Sequence, residues 1–396
     1  MREVVIVSMA RTPFGKFGGK LSGLTAAELG GLAIKAALER SGISGQQVDE
    51  VIMGMVVTAG AGQIPARQAA IKGGIHYEVP GITINKVCGS GMKAITLGTQ
   101  IIKAGDADII VAGGMESMSN IPYLSPSARW GSKMGNQIFV DAMIKDGLWC
   151  PENNVHMATL GGAVAVEYGV SREEQDQWAQ RSQQRWHKAE SDGFFAQERF
   201  PVSVKFNKEI IRVDKDESPR YDSTLEGLGK LKPIDGPTGT ITAGNAPGIS
   251  DGAAVVILAS REKAETLELP ILARIAGYAQ ISQPSKYIAT VPGLAIQKLV
   301  KKYDLSIKDI DLIEINEAFA AVPLVSGKVI GLDSVTMDEK VNVNGSAIAV
   351  GHPIGVTGAR LIMTIIYELK RRKGMNGVCA ICSGMAQGDA VWLQRV

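Results

Sequence analysis

Apolar residues fall into two alternating patterns along the first 118 residues. Short continuous runs read as strands with both faces covered: EVVIVSMA (3–10), VDEVIMGMVV (48–57), ITINKV (82–87) and ADIIVAGG (107–114). Between them lie stretches with apolar residues three and four apart. AAELGGLAIKAALERSG (26–42) predicts a helix closed by Gly42, and a second helix is expected to follow from Gly89. The pattern is that of an α/β fold with helices on the sheet faces.

From Ser119 to Ser250 the rhythm breaks. This region is irregular and polar and carries Trp130, Trp149, Trp178 and Trp186. One helix is predicted inside it, SREEQDQWAQRSQQRWHKAESDG, with Ser171 and Glu174 as a capping box. At DGAAVVILASREKAE (251–265) the α/β pattern resumes. After Pro270 the chain repeats itself: ILARIAGYAQIS parallels EVVIVSMARTPF, and VNVNGSAIAVGHPIGVTGARLIM parallels TINKVCGSGMKAITL. GVCAICSGM likewise parallels DIIVAGGM. The expected organisation is residues 1–118 plus 251–270 as a first half, 119–250 as an insertion, and 271–396 as a second half. Paired α/β halves bind ligands where strand ends and helix starts converge. The alignment places His352 close to Cys88 across that junction.

Composition narrows the classes. Basic and acidic residues nearly balance, 42 against 40, which argues against nucleic-acid or membrane-surface binding. No apolar run is long enough to span a bilayer, and neither a signal peptide nor a peroxisomal ending is expected. Four cysteines in 396 residues make no disulfide framework, so a reduced, cytoplasmic protein is expected.

Candidate chemistry gathers at the junctions. Cys88 in NKVCGSG stands before a helix. Glycines there allow a sharp turn, and the helix N-terminus is expected to lower the thiol pKa. The rival readings are a buried structural thiol and a dinucleotide loop, since Gly89, Gly91 and Ala94 match G-x-G-x-x-A. Against the loop, the acid that should follow is displaced to Glu116. His352, in GHPIGVTGAR, is a candidate general base or a turn residue. Cys382 forms a C-x-x-C with Cys379. On a strand, positions three apart face opposite ways, so Cys379 is expected in the core while Cys382 reaches the Ser383–Gly384 turn. Asn316 and Glu317 follow a buried strand and could satisfy loop backbone or serve an oxyanion.

Together these segments resemble the thiolase family over essentially the whole chain. The resemblance rests on NKVCGSG, GGMESMSNIPY from Gly113, AGNAPGISDGAA from Ala243, NEAF from Asn316, GHPIGVTGAR and CSGMAQG. It implies two five-strand α/β halves in an α-β-α-β-α arrangement with an inserted loop domain. It further implies an acyltransferase without cofactor, acting on coenzyme A thioesters: two acetyl-CoA give acetoacetyl-CoA and CoA, reversibly, within fatty acid metabolism. Cys88 would be the acyl acceptor, His352 its base and Cys382 the acid/base for the α-proton. Asn316 with His352, and the N–H groups of Cys88 and Gly384, would form two oxyanion holes. Leu148, His156, Met157, Arg220, Ala243, Ala246, Pro247, Ala318 and Phe319 would contact acetyl-CoA, acetoacetyl-CoA or CoA. A homotetramer, a dimer of dimers, is expected. Alternatives are a longer-chain 3-ketoacyl-CoA thiolase of β-oxidation and a non-catalytic lipid-transfer homologue. The latter is weakened by the presence of Cys88, Asn316, His352 and Cys382.

Three departures stand out. Pro247 replaces a usual serine, Met385–Ala386 replaces glycines and is expected to bulk the pocket wall, and KYIATVP (286–292) replaces a glycine-containing segment, with Ile288 at the pocket. Met157 favours short acyl chains.

Overall fold

The computed structural model describes residues 2–131, 133–234 and 236–396. Nine strands of the main sheet are numbered here in chain order: β1 Val4–Arg11, β2 Glu50–Gly54, β3 Gly81–Ile84, β4 Ile109–Ser117, β5 Ser250–Ser260, β6 Ala273–Ser282, β7 Leu312–Ile315, β8 Asn376–Ser383 and β9 Gln387–Gln394. The main helices are α1 Ala26–Ser41, α2 Ser90–Ala104, α3 Met157–Glu167, α4 Arg172–Ser191, α5 Val291–Tyr303, α6 Ala321–Ile330 and α7 Thr357–Arg372. The predicted capping box of Ser171 with Glu174 starts α4, and a second one, Thr25 with Glu28, starts α1.

The strands run in the order β7-β8-β9-β6-β1-β5-β4-β2-β3. The path divides into two halves of like topology. Each has a parallel pair away from the seam, β2/β4 and β7/β8, followed by antiparallel steps to β5 and β1 or to β9 and β6. The halves meet where β1 pairs with β6, Val5 opposite Arg274 and Ile6 opposite Ala273.

The second half departs from the expected five strands. It has four, and its fifth is reduced to an isolated bridge between Val341 and Ile313. The reason is local. The Asn342 side chain accepts from Ile315 N at 2.8 Å and donates to Ile315 O at 2.8 Å, doing for the edge what a further strand would do.

Strand alternation builds the layers. Ile109 and Val111 face the α1 side, whereas Ile110 and Ala112 face a central layer formed by α2 and α7. On β8, Val378, Ala380 and Cys382 face the α5–α6 side, whereas Cys379 and Ile381 face the centre. Cys379 is thus core and opposite to Cys382, as the strand period predicts.

α2 and α7 meet at their N-terminal ends. A Cβ on Gly91 would lie 2.9 Å from the Gly355 carbonyl, and one on Gly358 would lie 2.5 Å from Met92 N. Only glycine permits that approach, and it draws the chain ahead of each helix to one place. α7 is buried almost all round. Its Arg360, fully buried, pairs with Glu314 at 2.8 Å and donates to Ser346 Oγ at 2.8 Å. Burial holds the Glu314 carboxyl up at about 7 even though Arg360 draws it down.

Between β4 and β5 the chain leaves the sheet for residues 118–249, which contain α3, α4 and a hairpin of Val202–Phe206 with Glu209–Val213.

Candidate active site

Cys88 lies in a turn locked by side chains. Asn85 Oδ1 accepts from Val87 N at 2.9 Å, and Asn85 Nδ2 donates to Val56 O at 3.0 Å. Ser90 Oγ accepts from Lys86 N at 2.8 Å and donates to Val87 O at 2.6 Å. The sharp turn expected from the glycines is made elsewhere: Gly89 has an ordinary helical φ of −76°, while Val87 has φ 44°. A β-branched residue in that region is strained, and such strain persists where surrounding bonds over-determine it.

The second half supplies the opposing groups. The β8–β9 turn packs on the Cys88 turn. Ser383 Oγ bonds the Lys86 carbonyl, and a Cβ on Gly384 would come within 2.7 Å of the Val87 side chain. Below them Lys86 Nζ pairs with the buried Asp389 carboxylate at 2.7 Å.

His352 is held by its backbone N–H, which donates to Gly248 O at 3.3 Å, and by its ring. Nδ1 lies 2.6 Å from Thr357 Oγ1, whose hydroxyl donates to Pro353 O at 3.3 Å. On that hydrogen-bond network Nδ1 carries the proton and Nε2 keeps its lone pair. Asn316 Nδ2 approaches Nε2 at 3.5 Å, and Asn316 Oδ1 is buried without a partner among the described residues. Glu317, by contrast, is structural: it accepts from Trp178, Ser182, Asn342 and Ile348 N.

Cys88, His352 and Cys382 open onto one largely apolar cavity of about 220 Å³. Leu148, His156, Met157, Ala246, Pro247, Ala318 and Phe319 line it, as the sequence led us to expect, and so does Ile288. Leu148 ends a π-helical turn, Met143–Leu148. His156 caps α3, its Nδ1 accepting from Ala158 N at 3.1 Å. Met118, Ile234, Gly248, Ile249 and Ile354 also line the cavity and were not anticipated. All but Ile234 sit within motifs already singled out, where their apolar or small character was the available signal; Ile234 lies in none of them. Asn316 and Gly384 are buried and are not among the lining residues.

Two residues nominated with them lie outside the cavity. Arg220 and Ala243 are exposed and off the cavity, with Arg220 Nη1 donating to Ala243 O at 3.4 Å. The expected bulky wall is also absent. Met385 is exposed and does not line the cavity, because Met385 and Ala386 take left-handed φ of 59° and 47° and carry the turn away from it.

The electrostatics correct a further expectation. Burial pushes the Cys88 thiol up to about 12. A hydrogen bond from its own backbone N–H opposes the rise and the Glu116 charge adds to it. Desolvation therefore outweighs the helix terminus. Burial also raises Cys382, with Cys88 adding to it, and lowers His352 to about 3, with Arg360 adding to the fall. The resting site holds two neutral thiols and a neutral imidazole, not an ion pair. For such a thiol to act as a nucleophile, a neighbouring base would have to take its proton as it attacks. Among the described residues no three His, Cys, Asp or Glu side chains cluster to hold a metal ion.

Strand-end thiols facing a histidine across two like α/β halves define a class. The family model described as thiolase, N-terminal domain, matches residues 4–262, and thiolase, C-terminal domain, matches 269–395. The chain belongs to the thiolase family. It is 48% identical over full length to a Pseudomonas aeruginosa protein named acetyl-CoA acetyltransferase, and 47% identical to one of the same name from Cupriavidus necator, again covering all of both chains. It also resembles the crystal structure of the Bacillus anthracis acetyl-CoA acetyltransferase, with TM-score 0.97 and 40% identity, covering 100% of this chain and 99% of that one.

Proposed function

We propose that the protein is an acetyl-CoA C-acetyltransferase, interconverting two acetyl-CoA with acetoacetyl-CoA and CoA through an acetyl-Cys88 intermediate. The observation that carries this reading is the convergence of Cys88, His352 and Cys382 on one apolar cavity with Asn316 beside His352 Nε2.

In thiolysis, Cys88 Sγ attacks the keto carbon of acetoacetyl-CoA while His352 Nε2 takes the thiol proton. The tetrahedral intermediate collapses by breaking the bond between the keto carbon and the α-carbon. The electron pair goes to the α-carbon, giving the acetyl-CoA enolate, which takes its proton from Cys382. The thiol of incoming CoA gives a proton to the Cys382 thiolate and attacks acetyl-Cys88. Cys88 departs and recovers its proton from the His352 imidazolium. Condensation is the reverse sequence. Asn316 Nδ2 and His352 would stabilise the enolate oxygen, the N–H groups of Cys88 and Gly384 the tetrahedral one. Met157, Leu148, Ala246, Pro247, Ala318 and Phe319 would enclose the acyl and pantetheine portion, and Arg220 and Ala243 would meet only the outer part of CoA.

The small cavity, walled by Met157 and Ile288, favours two- and four-carbon acyl groups over the longer 3-ketoacyl chains of β-oxidation. The chemistry needs no metal or redox cofactor. Four free cysteines fit a reduced cytoplasm, and chemistry on acyl-CoA thioesters would fit a place in fatty acid metabolism. The exposed apolar side chains Tyr123, Trp130, Met134, Ile138 and Phe139 give a homotetramer a surface to bury. Light scattering tests it. The functional test is CoA-dependent loss of acetoacetyl-CoA absorbance. Faster thiolysis of chains well beyond four carbons would refute acetyl specificity, and no thiolysis at all would refute the reading.

A further inference from the structure

Glu116 stands outside the chemistry just described, and its surroundings are unusual. It is fully buried near the end of β4. No Lys or Arg pairs with it among the described residues, and the charge nearest in effect, Asp251, has the same sign. Burial lifts its carboxyl to about 7 against the pull of its backbone hydrogen bonds, and above that pH it stands as a buried carboxylate without a cation, which is costly. What it has instead are three backbone donors from two parts of the molecule. Oε1 accepts from Val57 N at 3.2 Å, and Oε2 accepts from Val56 N at 3.0 Å and from Gly355 N at 2.9 Å.

The two parts are the segment following β2 and the turn three residues beyond His352. The first also anchors the Cys88 turn, since Asn85 Nδ2 donates to Val56 O. The second is seated directly on the carboxylate: a Cβ on Gly355 would lie 2.6 Å from Glu116 Oε2 and 3.2 Å from Met55 Cα. One carboxyl group thus joins the floor under the nucleophile to the turn carrying the base.

We infer that Glu116 is a positioning residue for acyl transfer, its carboxylate clipping the His352–Gly355 turn of the second half to the Val56–Val57 segment under Cys88. It touches no substrate; it acts by fixing where His352 Nε2 stands relative to Cys88 Sγ. Only a carboxylate suits the clip, because all three partners are donors. A glutamine offers one acceptor oxygen, so in either orientation its NH₂ group faces a backbone N–H and that bond is lost.

The inference rests on the thiolase reading, and wild-type thiolysis tests that reading separately. With wild type active, Glu116→Gln is compared with it in kcat, KM for acetoacetyl-CoA, and the rate and extent of labelling by radioactive acetyl-CoA. The expected result is a kcat lower by roughly 10- to 100-fold, the scale of a small misplacement of reacting groups. KM should change by less than about threefold, and each chain should still accept an acetyl group, but more slowly by the same factor. A kcat within about twofold of wild type overturns the inference. So does a kcat loss matched by the fraction of chains that can no longer be labelled, which is plain misfolding. Should Glu116→Gln not fold, Gly355→Ala pushes the turn off the same oxygen; the same slow but complete labelling supports the clip, and unchanged labelling kinetics overturn it.

Discussion

The two halves share a topology and differ most in one connection. In the first, β4 and β5 are joined by residues 118–249, an excursion that builds much of the cavity wall. In the second, the corresponding strands β8 and β9 are joined by Gly384, Met385 and Ala386 alone. The long connection supplies enclosure, and the short one supplies rigidity, holding Cys382 and the Ser383–Gly384 turn against the Cys88 turn. On the proposed reading, a duplicated fold becomes an asymmetric site: one half offers the thiol that is acylated, the other a base and a second thiol.

That division of labour can be broken one half at a time. Cys88→Ala removes the first half's only reacting group, and thiolysis should fall by about 10⁴-fold or more in the absorbance assay. His352→Gln removes the second half's base and should lower kcat by roughly 10²- to 10⁴-fold, with CoA binding by calorimetry little changed. The resting protonation state separates the account from one based on a thiolate–imidazolium pair. Because burial raises Cys88 to about 12 and lowers His352 to about 3, alkylation of the free enzyme by iodoacetamide should keep rising between pH 7 and 9. The rise should approach about tenfold per pH unit as the thiolate fraction grows. A plateau below pH 7 would show an ion pair at rest.

Stability carries its own pH signature from His352. Its folded pKa is depressed below the ordinary value, so its contribution is present above about pH 6.5 and is lost as pH falls toward 3. In urea unfolding His352→Gln should flatten that part of the pH dependence. The smallest effect concerns the contact between the halves. Gly358→Ala places a methyl 2.5 Å from Met92 N and should cost about 1–3 kcal/mol in urea unfolding, with a parallel loss of activity.

Much of this was legible in the chain. The 2- and 3.6-residue periods mark the strands and helices, and the internal repeat pairs Cys88 with His352. The opposite facing of Cys379 and Cys382 followed from strand period alone. What escaped were features that depend on partners far away in sequence. Val87, not a glycine, makes the turn before Cys88, because Asn85 and Ser90 hold it there. Asn342 replaces an edge strand, which no periodicity can announce. A helix N-terminus is visible in sequence, but the depth of burial that raises the Cys88 thiol is not. Glu116 was noticed only as a misplaced acid for a dinucleotide loop; its three donors come from residues 56, 57 and 355.

The most direct test of the central claim is to locate the acetyl group. The enzyme is incubated with acetyl-CoA, quenched in acid and digested, and its peptides are read by mass spectrometry. The account predicts an acetyl group on Cys88 in wild type and in Cys382→Ala, and none in Cys88→Ala. Acetyl on Cys382 in wild type, or turnover by Cys88→Ala without any acylated cysteine, would contradict it.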